Sequence, residues 1–88
     1  MAKKVVQVFA QLYAHRISHG DTKVANWFVV GDEVVLIDLD SMKKHQGNLL
    51  FRRAWRSDVR RFMKNWKDLP ELFALFRDEF EAQGLEWK

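Results

Sequence analysis

The sequence predicts an α+β fold in a single domain: one helix, a β-hairpin, then two helices. Three observations predict it. Apolar residues recur at helical spacing near both ends of the chain. Two β-branched and aromatic runs, Trp27-Phe28-Val29-Val30 and Val34-Val35-Leu36-Ile37, flank the short turn Gly31-Asp32-Glu33. With 88 residues, 48% of them hydrophobic, the chain can fill one small core but not two.

Taken in order, Val5, Val8, Phe9, Leu12 and Tyr13 mark one face of a first helix over residues 4–15. Residues 16–26 lack sustained periodicity, and Gly20 permits a turn there. Both hairpin runs are apolar on successive residues, which predicts cover on both faces, from helices on one side and a ligand or second lobe on the other. Residues 41–48 are polar, contain Gly47 and read as loop. Phe51, Trp55, Val59, Phe62 and Trp66 give a second helix over about residues 49–66. Asp68-Leu69-Pro70-Glu71 reads as a helix start, with an acidic cap and proline in the first turn. Leu69, Leu72, Phe73, Phe76 and Phe80 line that third helix, and Gly84 ends it.

Composition excludes several classes. The absence of cysteine removes disulfide frameworks and thiolate metal sites. The apolar stretch after the basic start is short and broken by Gln7, so it does not read as a signal peptide. No apolar run approaches the length of a membrane span, and the expected setting is cytoplasmic. A net charge of +3 suits anionic small molecules without requiring nucleic acid.

The chemistry-bearing residues concentrate between His19 and Asp40. His19-Gly20-Asp21-Thr22-Lys23-Val24-Ala25-Asn26 precedes the hairpin and Asp38-Leu39-Asp40 follows it. Closing the hairpin brings Asp21, Asn26 and Asp38 into one region. A carboxylate base with an Asn and an Asp on Mg²⁺ is the arrangement that kinase phosphoryl transfer uses. Each residue also has a plainer reading. Asp21 would cap a turn, Asn26 would bond its own backbone, and Asp38 and Lys23 would be solvated charges. Phe28 would be core, and Asp58 an exposed acid paired with Arg61 or Lys64.

Taken as a pair, H-G-D-T-K-V-A-N followed by D-L-D resembles the catalytic loop and metal strand of the protein-kinase-like fold. Glycine after the histidine, and D-L-D in place of D-F-G, resemble the bacterial lipopolysaccharide core kinases, which phosphorylate Kdo or heptose sugars. The resemblance covers residues 12 to about 62 and corresponds to the catalytic part of the C-terminal lobe only. It implies Asp21 as the base, Lys23 at the transferring phosphate, Asn26 and Asp38 on Mg²⁺, and Phe28 beneath the adenine of ATP. It makes His19 and Asp58 structural supports of the loop, and it leaves Asp40 without a counterpart.

The resemblance further implies a nucleotide and a lipopolysaccharide core sugar as partners, together with an N-terminal lobe, a partner chain or a second copy. The scattered glycines offer no nucleotide-covering loop, so the chain alone is expected to be inactive. Arg52, Arg53, Arg56, Arg60, Arg61, Lys64 and Lys67 crowd the second helix, either as a solvated face or as an anion-binding surface. The second alternative includes peripheral contact with the acidic face of the inner membrane. Two other functions use the same residues. VVLIDLDS also resembles the first motif of haloacid-dehalogenase-type phosphatases, with Asp38 as nucleophile and Asp40 as acid/base. A non-catalytic basic interaction module is the other.

Overall fold

The computed structural model describes residues 2–37 and 42–87. It is an α+β domain of three helices and two small antiparallel sheets. Helix α1 spans Ala2–Ala14, α2 spans Asn48–Lys64 and α3 spans Pro70–Ala82. Strand β2 (Trp27–Val30) pairs with β3 (Glu33–Leu36), and β1 (Ile17–Ser18) pairs with β4 (Lys43–Lys44).

The core is aromatic. Phe9 on α1 is fully buried and touches rings from three other elements. Its ring centre lies 5.4 Å from Trp27, 5.8 Å from Trp55, 5.1 Å from Phe62 and 5.2 Å from Phe80. Tilted and edge-on pairs of this kind add about 0.5–1.5 kcal/mol each beyond the area they bury. Phe51, Trp55, Val59, Phe62 and Met63 form the buried stripe of α2, and Phe76 and Phe80 that of α3.

Several boundaries and faces differ from the sequence expectation. Helix α1 begins two residues earlier and buries Val6 completely, while Tyr13 is 38% exposed. Helix α2 ends at Lys64, so Trp66 lies beyond it, partly buried against the core. Asp68 does not cap α3: Leu69 is the N-cap residue and makes no side-chain cap bond, with Pro70 opening the helix. Gly84, at φ +72°, closes α3. The Leu85 N–H reaches the Phe80 carbonyl and the Gly84 N–H the Glu81 carbonyl, the paired bonds of a Schellman end.

The hairpin turn is two residues, Gly31 and Asp32, because Val30 pairs directly with Glu33. Gly31 takes φ +61° at the first turn position, where glycine is favoured. Only one hairpin face is covered. Trp27 and Val34 pack on the core, but Phe28 and Val30, on the other face, are exposed. Within the chain, the face carrying Phe28 and Val30 is left open, the side on which a ligand or second lobe is expected. The loop expected between hairpin and α2 contains a strand, β4. It completes the second sheet through Ile17–Lys44 and Ser18–Lys43 pairing, with the His45 N–H donating to the Arg16 carbonyl at 2.8 Å. Among the described residues no helix is long and apolar enough to cross a membrane.

Candidate active site

Within the segment from His19 to Asn26 only Val24–Asn26 is regular, a single 3₁₀ turn, so the shape of the rest depends on bonds from elsewhere. Asp58, in the middle of α2 and only 3% exposed, supplies the main ones. Its Oδ2 accepts the His19 N–H at 2.7 Å and its Oδ1 accepts the Gly20 N–H at 2.9 Å. The Thr22 hydroxyl donates to the Asp58 carbonyl. One residue of α2 thus carries both ends of a four-residue turn.

The histidine locks the turn to the hairpin. His19 is fully buried, and its Nδ1 accepts the Asp21 N–H at 3.1 Å. The proton is thereby assigned to Nε2, which donates to the Ile37 carbonyl at 2.8 Å. Both ring nitrogens are engaged, which makes His19 a brace and leaves no nitrogen for proton transfer. Asn26 completes the clamp: its amide nitrogen donates to the Asp21 carbonyl at 2.8 Å, and its own carbonyl accepts the Ile37 N–H at 2.8 Å. The Trp27 indole N–H reaches the Thr22 carbonyl at 3.2 Å.

The turn also needs a glycine at its second position. Its φ is +90°, a region open to glycine and strained for other residues. Any other residue between His19 and Asp21 would have to adopt that backbone.

The bonds leave Asp21 at the edge of the site, with its side chain 24% exposed. Two cations from different elements approach its two oxygens. Lys23 stands 3.5 Å from Oδ2, and Arg61 of α2 stands 4.0 Å from Oδ1. Both cations are more than half exposed, so the pairs are solvent-screened and worth little to stability. They leave a reachable carboxylate flanked by positive charge, suited to holding a hydroxyl near an anionic group.

The environment also alters the ionisation of Asp58. Burial pushes its carboxyl above the usual value of 3.8, while the His19 and Gly20 N–H bonds and the Arg61 charge pull it back.

Asp21, Asn26, Lys23, His19 and Asp58 are therefore in one connected region. Phe28 is 51% exposed on the open hairpin face. Asp38 and Asp40 lie outside the described residues. Ile37, the last described residue before them, is clamped to both Asn26 and His19. The amide nitrogen of Asn26 is committed to the Asp21 carbonyl, which leaves its amide oxygen, a hard donor of the kind Mg²⁺ takes.

Arg61 is a site residue that the sequence does not single out. Its approach to Asp21 depends on how α2 packs under the loop, and no local sequence signal records that. The exposed-acid reading of Asp58, paired with Arg61 or Lys64, does not hold, because its carboxylate faces the loop amides. Comparisons of the chain with protein-family models, with curated proteins and with solved structures found no match to any of them.

Proposed function

We propose that this chain supplies the catalytic-loop half of a kinase that transfers the γ-phosphoryl group of ATP to a hydroxyl of a lipopolysaccharide core sugar. The observation that carries the reading is the pair of bonds from Asp58 to the His19 and Gly20 amides. They fix a turn that presents Asp21 beside Asn26. The sugar class rests on the resemblance of H-G-D-T-K-V-A-N and D-L-D to the lipopolysaccharide core kinases.

In the reaction a bond forms between the acceptor oxygen and the γ-phosphorus. The bond from that phosphorus to the departing ADP oxygen breaks, and the hydroxyl proton passes to Asp21. Asp21 orients the hydroxyl and takes its proton. Lys23, 3.5 Å from Asp21, would meet the transferring phosphate. Asn26 and Asp38 would hold Mg²⁺, which when bound supplies charge neutralisation on the phosphates. The exposed ring of Phe28 offers an apolar surface for the adenine. The phosphatase alternative built on Asp38 and Asp40 gives His19, Gly20 and Asp21 no role, and these are the residues that Asp58 holds.

The test has two stages. Titration of the chain with Mg²⁺-ATP should move amide signals at Phe28 and Ile37, and Asp38→Ala should abolish the movement. Complemented with the N-terminal lobe of a lipopolysaccharide core kinase, the chain should phosphorylate a core sugar. Asp21→Asn should lower that rate by about 10²-fold or more. An Asp21→Asn variant at full rate would sink the reading.

A further inference from the structure

We propose that the groove lined by Ser57, Arg60, Arg61 and Lys64 binds a phosphomonoester carried by the acceptor, so that the sugar being phosphorylated already bears a phosphate. The proposal rests on the reading of Asp21 as the acceptor's base.

Ser57, Arg60, Arg61 and Lys64 recur at the three- and four-residue intervals that place side chains on one face of α2. They enclose a surface cavity of about 210 Å³. Its charge is unbalanced. Among the described residues neither Arg60 nor Lys64 has an acidic partner within ion-pair distance, and Arg61 has only Asp21, at 4.0 Å. The same helix treats its other cations differently: Arg52 and Arg56 lie 3.5 and 3.2 Å from the Glu86 carboxylate. The basic run is thus partly neutralised near its start and left open beside the candidate base.

The chemistry of the open part suits a tetrahedral dianion. Guanidinium forks match phosphate oxygens bidentately, lysine adds a compact charge, and the serine hydroxyl adds a donor. Arg61 and Lys64 stand in the last turn of α2, where the helix dipole contributes about half a negative charge. Three full positive charges outweigh it, even with Asp21 counted. A phosphomonoester carries between one and two negative charges at neutral pH and would be held more firmly than a carboxylate.

Position turns an anion site into an acceptor site. Arg61 lines the groove and also borders Oδ1 of Asp21. A phosphate seated on Arg61 would draw the guanidinium into the groove and leave that oxygen for the acceptor's hydroxyl. Asn26, Phe28 and Lys23 lie on the loop and hairpin rather than on α2, so the nucleotide's residues and the groove belong to different elements.

Two-dimensional amide NMR of the whole chain tests this without turnover. The probes are glucose 6-phosphate, inorganic phosphate and glucose, at ionic strength fixed with chloride. Glucose 6-phosphate should give saturating shifts over residues 57–64 and at Asp21, and glucose should give none. Arg60→Gln with Lys64→Gln should weaken the binding about tenfold while the remaining spectrum stays folded. Arg53→Gln should leave it unchanged. Linear shifts spread equally over all basic residues would overturn the site. Saturation by inorganic phosphate but not by glucose 6-phosphate would overturn its assignment to the acceptor. Phosphotransfer by the complemented enzyme with no preference for phosphorylated acceptors would also overturn it while leaving the role of Asp21 standing. Loss of the Asp21 role with the groove still binding glucose 6-phosphate would instead refute the base.

Discussion

The Oδ1 of Asp58 accepts the N–H of Gly20 at 2.9 Å across 38 positions of sequence. The bond joins a loop position that needs a glycine backbone to a buried carboxylate on the longest helix. That contact, and the aromatic core beneath it, should govern both the stability of the domain and the aim of Asp21.

Asp58→Asn keeps the side chain's shape but offers one acceptor oxygen to two N–H groups, and turns an NH₂ toward the other. One buried amide is left unsatisfied. The expected cost is roughly 2–3 kcal/mol in urea unfolding, a large share of what so small a domain holds. A loss below about 0.5 kcal/mol would mean that water replaces the bond.

The pH dependence has a definite sign. Asp58's folded value lies above 3.8, so the native chain binds this proton more tightly than the unfolded chain does. Its contribution to stability is present below 3.8 and is lost as pH rises through the folded value. The stability of the wild type relative to Asp58→Asn should therefore fall as pH is raised from 3.8 and level off once the group is ionised. Unfolding curves across that range decide the matter. An advantage that grows with pH would show that the two loop amides outweigh burial.

Gly20→Ala forces a β-carbon into φ +90°. The expected penalty is about 1–3 kcal/mol. Beyond stability, the complemented enzyme should lose activity in the fraction that stays folded, because relaxing φ moves Asp21. Gly31→Ala, also at positive φ but in the hairpin turn, serves as the comparison: it should reduce stability and spare the rate per folded molecule.

Two phenylalanines on opposite sides of the hairpin should behave oppositely. Phe9→Ala opens the centre of the aromatic core and should cost about 3–5 kcal/mol, enough to unfold much of the population at room temperature. Phe28→Ala removes a half-exposed ring and should cost less than about 1 kcal/mol. If Phe28 bears the adenine, its loss should weaken Mg²⁺-ATP binding without altering the melting temperature.

The parts of this fold with a strong local signal are legible in the sequence. The hairpin announces itself through two apolar runs and Gly31. Helix α3 shows Pro70 at its start and Gly84 at its end. Strands β1 and β4, two residues each, leave no periodicity to read, so the second sheet is invisible there. The two faces of the hairpin cannot be separated by hydropathy, because Phe28 and Val30 are as apolar as Trp27 and Val34, yet only Trp27 and Val34 meet the core. At the site, spacing alone groups Asp21 with Asn26. The contacts of Asp58 to His19 and of Arg61 to Asp21 join residues 39 and 40 positions apart, and their closeness is set by the docking of α2.

Asp58 and Arg61 sit three residues apart on one uninterrupted helix, the first beneath the loop and the second beside Asp21. Their separation is set by helix pitch and not by any side chain. One residue inserted between them would swing Arg61 about 100° around the axis while Asp58 stayed under the loop. Many exchanges of residue type could be absorbed around this pair, but a change of length could not. In lineages descending from this chain, the interval between the two should hold constant even where the flanking residues drift.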